Sequence, residues 1–211
     1  MNKKHALKIV FDCAILYKEN LADKNLLFLS LINHTKFQYI EAKFIKNNYL
    51  HLTGVVIKSS ISPSYFYEKC LNKRLSFNEF EFRVDGTTEL KLSVLEQLMN
   101  IYKSSKMIGD FNFSNPKLYC DILTGNIVAC MGFKKDNQFY VPVTVLKQDT
   151  RDLISNQGRI IAIFSKGINE KLYNNLKYLL KDFNDKDKLP NELLSKLDSE
   201  NMICKFKNCF V

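Results

Sequence analysis

The second half of the chain is a succession of short apolar stretches with no room between them for a helix. Leu118–Leu123, Asn126–Phe133 and Phe139–Leu146 read as strands, separated only by Thr124-Gly125 and Lys134–Gln138. No long helix alternates with these strands, which points to a mainly antiparallel sheet. Arg159–Phe164 adds a further β-rich run, ended by Lys166-Gly167.

The first half reads differently. Leu7, Val10, Phe11, Ala14 and Ile15 recur at helical spacing over 4–19. Leu26–Ile32 and Phe37–Ile45 form a predicted hairpin across Asn33–Lys36, and Tyr49–Ile57 reads as the next strand after Asn47-Asn48. Ser62-Pro63 is a helix start signal, predicting a short helix over 64–73. After the Asp85-Gly86 turn, Thr87 or Thr88 is expected to cap a helix reaching about Lys103, with Leu92, Leu95, Leu98, Met99 and Tyr102 on one stripe. Two further helices are expected at about 169–183 and 190–203. Strands do not alternate regularly with long helices, so the class is α+β, a mainly antiparallel sheet packed against helices. A boundary near Asp182–Lys188 divides the expected main domain, 1–182, from a C-terminal helical appendage, 183–211.

Of the 211 residues, 46% are hydrophobic and only 7 are Gly and 4 Pro, which excludes disordered and collagen-like chains. No apolar run is long enough to span a membrane. Lys8 and Asp12 interrupt any signal-peptide core behind Lys3-Lys4, so the expected location is cytoplasmic, with no membrane partner. The formal net charge is +9, from 31 Lys and Arg against 22 Asp and Glu. Such a balance favours polyanions, nucleic acid first. The excess is spread evenly along the chain, so a cationic face has to be assembled by folding.

Cysteines stand at 13, 70, 120, 130, 204 and 209, with no CxxC, and His5, His34 and His51 are scattered. No zinc spacing results, and the first four cysteines read as small buried hydrophobes. The seven glycines are isolated and no GxGxxG, GxxxxGK[ST], HExxH or GxSxG is present, so neither a nucleotide cofactor nor a metal is expected.

What remains is Tyr49-Leu50-His51-Leu52-Thr53-Gly54-Val55. On a strand, His51 and Thr53 share a face, and imidazole, with a pKa of about 6.5, can take or give a proton near neutrality. Lys91 lies at a helix start, where the helix dipole disfavours a cation, which hints at a bound anion. Arg151 can clamp phosphate through two nitrogens or pair with Asp149 or Asp152. Tyr140 can stack a base, supply a phenolic proton or pack across strands. Glu41 and Glu68 are available carboxylates that the sequence does not place, and His5 and His34 read as surface residues.

His51-Leu52-Thr53-Gly54, preceded by an aromatic residue and a Leu, resembles the HLTG signature of phage-associated nuclease domains in the barnase–EndoU–colicin–RelE superfamily. Further stretches resemble the same branch in order: Phe66–Cys70, the Gly86-Thr87-Thr88 helix start with Lys91-Leu92, Met107–Asn112, and Tyr140-Val141-Pro142 through Leu146 to Asp149 and Arg151. The likeness spans roughly residues 24–180. It implies helices packed on an antiparallel sheet and metal-independent cleavage of RNA. In that reaction a ribose 2′-OH attacks the adjacent phosphate, leaving a 2′,3′-cyclic phosphate and a 5′-OH. A base at the 2′-OH, an acid at the 5′-oxygen and cations on the phosphorane oxygens are needed. His51 is the first choice for acid or base, with Thr53, Lys91, Arg151 and Tyr140 as the expected supporting residues. Barnase-like enzymes pair a carboxylate with a histidine and EndoU-like enzymes use two histidines, whereas one histidine here falls in a matching motif, leaving the second group unassigned. The resemblance implies a toxin or conflict effector of a phage or mobile element, with RNA as substrate and an antitoxin or immunity protein as partner. An inactive RNA- or protein-binding module, and a phage-encoded inhibitor of host machinery, remain the alternatives. The oligomeric state is open.

Overall fold

The computed structural model describes residues 1–33, 35–181, 183 and 189–198. It opens with α1 (Lys3–Asn20), capped by Asn2, whose side chain accepts from the His5 amide at 2.8 Å. The buried stripe is Ala6, Leu7, Val10, Cys13, Ala14 and Tyr17, rotated from the expected one so that Ile15 faces out. The predicted hairpin is present as β1 (Lys24–Ile32) and β2 (Lys36–Phe44), with Phe28 opposite Ile40. Then come α2 (Asn48–Thr53), β3 (Val56–Ile57), α3 (Pro63–Leu71) and β4 (Phe80–Glu81), the two short strands pairing with each other. Ser62 caps α3 as its sequence predicts, accepting from the Tyr65 amide at 3.2 Å.

The expected strand over 49–57 is therefore corrected: its first part is the helix α2. Tyr49 and Leu52 drop into the core one turn apart, and Gly54 ends the helix at φ +70°. A left-handed residue at this position is the usual way for a helix to stop.

The helix expected after Asp85-Gly86 is α4 (Thr87–Met99), followed by a separate turn, α5 (Ile101–Ser104). Neither threonine caps it. Gly86 occupies the cap position, and the Asp85 carboxylate accepts from the Thr87 amide at 3.0 Å. Five strands follow: β5 (Met107–Phe111), β6 (Ile122–Gly125), β7 (Cys130–Asp136), β8 (Phe139–Leu146) and the long β9 (Ile154–Gly167). The turn between β6 and β7 is built by Asn126, whose side chain accepts from the Val128 amide at 2.7 Å, so both strands sit a few residues later than predicted.

The large sheet runs β2-β1-β9-β5-β6-β7-β8, with β10 (Asn175–Leu179) also on β9. Among the described residues every strand pairing of this sheet is antiparallel except one, where the sheet curls until its edges β2 and β8 meet at Ala42 and Tyr140. The α+β class expected from the sequence is the one observed. On one face α1 to α4 close over Leu26, Phe28, Ala42, Phe44, Phe133 and Ile163. Within that core Tyr17, Tyr49 and Tyr67 pack ring against ring at centroid distances of 5.2–5.6 Å.

On the other face Leu27, Leu29, Ile161 and Phe164 are covered by Tyr173, Phe183, Leu189, Leu193 and Leu197. The expected helix at 169–183 is thus corrected to the strand β10 with flanking bends, held by pairing to β9. Of the helix expected at 190–203, α6 (Asn191–Leu194) is present; 199–203, and Asp182 and 184–188 at the expected boundary, lie outside the described residues. Among the described residues no helix is long and apolar enough to cross a membrane.

The Tyr49 hydroxyl donates to the Val10 carbonyl at 2.6 Å in a fully buried setting, tying α2 to α1. Tyr49→Phe removes that bond and nothing else, and is expected to cost about 1–2 kcal/mol. A urea titration with unchanged slope and a lower midpoint would register it, whereas an unmoved midpoint would mean that ring packing alone anchors α2.

Candidate active site

A cleft of about 1140 Å³ lies between the α2–α4 pair, β8 and the loop joining β5 to β6. His51 and Gly54 come from the end of α2, Arg83 and Lys91 from the entry and second turn of α4, Lys117 and Tyr119 from the loop, and Lys147 from beyond β8. Residues far apart in sequence thus assemble the cationic face that the even charge distribution required.

The His-Leu-Thr-Gly run is a helix ending, and each residue has a separate physical job. His51 is exposed at the cleft, and among the described residues its imidazole makes no hydrogen bond. Leu52 is buried in the core. Thr53 is fully buried, with its hydroxyl donating to the Leu50 carbonyl at 2.8 Å. Gly54 holds the left-handed conformation, and its carbonyl accepts from the Thr88 hydroxyl at 2.7 Å. A Cβ on Gly54 would lie 2.6 Å from Cδ of Lys91, so the lysine stem passes directly over the glycine. The Lys91 ammonium then donates to the His51 carbonyl at 3.0 Å, one of the orphan acceptors that every helix end leaves.

Electrostatics follows from this packing. Burial pushes the Lys91 ammonium down to about 8; the Arg83 guanidinium adds to the effect and the Asp85 carboxylate opposes it. His51 is also pushed below its ordinary value, first by partial burial and then by the Lys91 charge. Among the described residues no carboxylate stands within ion-pair distance of Lys91 or Arg83. Cations brought together with no carboxylate in direct contact favour an anion.

Of the five residues singled out from the sequence, His51 and Lys91 meet here and three do not join them. Thr53 points into the core and its hydroxyl is spent on its own helix, so the shared-face arrangement with His51 is corrected. Arg151, in the turn Thr150–Asp152, forks onto Asp149 at 2.6–3.1 Å and does not line the cleft. Tyr140 sits on β8 at the sheet junction, packed against the main core, and its phenol is raised by burial. Glu41 is bonded to Tyr173 and Lys196, Glu68 pairs with Lys46, and neither lines the cleft. His34 lies outside the described residues.

Arg83 and Tyr119 were not visible in the sequence. Arg83 belongs to no motif, and only the turn into α4 brings it beside Lys91. Among the described residues no three His, Cys, Asp or Glu side chains gather closely enough to hold a metal. Cys13, Cys70, Cys120 and Cys130 are buried and free, and burial raises all four thiols. Cys204 and Cys209 lie outside the described residues.

A curled antiparallel sheet backed by helices carries a cationic cleft where two helix ends meet. The chain belongs to the phage-Barnase-EndoU-ColicinE5/D-RelE like nuclease4 family, whose model matches residues 9–182. No curated protein and no solved structure matches it. The four residues of the helix ending, and both Arg83 and Lys91, fall within the matched region.

Gly54→Ala is expected to destabilise the fold by about 1–2 kcal/mol through its left-handed backbone alone. It also lifts the Lys91 stem away from α2. The Lys91 pKa, followed by NMR of the side chain, should then rise from about 8 toward the solvent value. A pKa that stays near 8 in this variant would show that Gly54 does not seat the lysine.

Proposed function

We propose that this protein is a metal-independent endoribonuclease that cleaves by attack of the 2′-OH on the adjacent phosphate. The observation that carries the reading is the His51–Lys91 pair. Both groups are pushed toward their neutral forms, and between the lowered His51 value and about 8 the histidine is a free base while the lysine is still an acid. Groups whose proton affinities straddle neutrality in this order suit a base-and-acid division of labour.

In this scheme neutral His51 takes the proton from the 2′-OH, and the 2′-oxygen bonds to phosphorus. Lys91 gives a proton to the departing 5′-oxygen as its bond to phosphorus breaks. The products are a 2′,3′-cyclic phosphate and a 5′-OH. Arg83, with Lys117 and Lys147 at the rim, offsets charge on the phosphorane oxygens, the role expected above of Arg151. Lys91 fills the place of the second proton-transfer group. An RNA-cleaving protein of a phage-associated family fits the role of a toxin or conflict effector in the cytoplasm, held in check by an antitoxin or immunity protein.

A second reading, a module that binds RNA without cutting it, is favoured by one observation. Catalytic imidazoles are commonly oriented by a hydrogen bond on the far nitrogen, and among the described residues His51 has none. Incubation with RNA in EDTA separates the two: fragments ending in cyclic phosphate support cleavage, and retained but intact RNA supports binding alone. A strand with a 2′-deoxy sugar at the cut site should be spared.

The rate profile should be bell-shaped. Activity falls on the acid side as His51 gains its proton, below the ordinary histidine value, and on the basic side as Lys91 loses its own near 8. His51→Ala should lose roughly 10²- to 10⁴-fold in kcat/KM. Lys91→Arg keeps the positive charge but cannot titrate in this range, so any activity it retains should lack the basic limb. Full activity of His51→Ala would remove the histidine from the reaction.

A further inference from the structure

The loop between β5 and β6 carries Tyr119 to the rim of the cleft, on the same rim as Lys117. The side chain is 79% exposed. Its ring is not left loose. The Lys134 ammonium stands 4.7 Å from the ring centroid, and Lys134 is itself fixed by an ion pair with Asp121 at 2.6 Å. Asp121 is held in turn by the Lys135 amide at 2.7 Å. One face of the phenol is therefore backed by an anchored cation, while most of the ring is open to water. Such a ring gains by covering its open face with another flat, polarisable surface. Beside it, the cleft offers Arg83, Lys91 and Lys147 to an anion.

A planar platform next to a row of cations is complementary to a ligand with a planar ring joined to a phosphate. We propose that Tyr119 is a stacking platform for an unpaired nucleobase adjacent to the phosphate in the cleft, which makes single-stranded RNA the substrate class. The inference rests on the ribonuclease reading and deepens it. Within a duplex both faces of a base are already covered by its neighbours, so a base can reach Tyr119 only from a single strand, loop or bulge. Stacking has no preference for base edges, so Tyr119 selects for strandedness and leaves sequence choice to other contacts. The stacking role that the sequence suggested for Tyr140 passes to Tyr119, which is exposed where Tyr140 is packed.

The test uses the absence of tryptophan from the chain. Tyr119→Trp in the full-length protein installs a single indole at the platform. The probe is a short single-stranded RNA with 2′-fluoro sugars, which lacks the attacking hydroxyl and so reports binding without turnover. Its binding is followed in parallel by the anisotropy of an end label. Indole quenching that saturates with the anisotropy signal is expected, with little quenching by the same sequence as a duplex or with abasic sugars. Tyr119→Ala should weaken single-strand binding about 5- to 150-fold, as loss of one stacked base does; Tyr119→Phe should not.

Anisotropy that reports binding while the indole signal stays still overturns the platform and leaves the cationic cleft intact. It would reassign Tyr119 to a protein-facing surface. Duplex bound as tightly as single strand overturns the strandedness claim. A failure to bind at low salt in either channel sinks both this inference and the ribonuclease reading beneath it.

Discussion

The closure of α2 onto the start of α4 organises the cleft. Three contacts make it: the Thr88 hydroxyl on the Gly54 carbonyl, the Lys91 ammonium on the His51 carbonyl, and the Lys91 stem lying where a Gly54 side chain would be. Each depends on the helix stopping at Gly54. A six-residue helix has little stability of its own, so α2 exists because Tyr49 and Leu52 are gripped by the core and its last turn is gripped by α4. His51 faces the cleft as a consequence of where its buried neighbours must point.

The same contacts account for the charge state of the site. A lysine stem laid over a glycine loses water along its length, and the ammonium becomes less willing to hold its proton. Arg83 moves the balance further in the same direction and Asp85 moves it back. What emerges is a lysine held at about 8 chiefly by burial, with no ion-pair partner among the described residues, and a histidine that feels the lysine's charge. A phosphate entering the cleft would reverse part of this by favouring both protonated forms, so occupancy and proton affinity are coupled there.

How much of this could be read from the chain depended on element length. The hairpin of β1 and β2, the capped start of α3 and the stripe of α4 were legible because each spans enough residues for periodicity or a cap to be recognised. α2 was not: over six residues, helical and alternating patterns are hard to tell apart, and the histidine–threonine spacing suited a strand as well. The glycine after Thr53 was the available signal, since a helix stop prefers a left-handed glycine. β10 misled for the opposite reason. Tyr173, Leu176, Leu179 and Leu180 recur at helical spacing, yet pairing with β9 and burial of Tyr173 under the sheet decide the outcome. Lys91 was noticed for its place on a helix, whereas Arg83 and Tyr119 acquire meaning only from what the fold sets beside them.

The cleft therefore has walls of two kinds. One side, the α2–α4 junction, is fastened to the core through Tyr49, Leu52 and Thr88, and it bears His51 and Lys91. The other, the loop between β5 and β6, carries Tyr119 and is tied to the sheet through Asp121, the last residue before β6, which bonds Lys134 and the Lys135 amide on β7. Substitutions in the loop can change what the cleft accepts without disturbing the helix junction. Changes at the junction act on the charge states of His51 and Lys91 and on stability together, because the glycine that seats Lys91 also terminates the helix that presents His51.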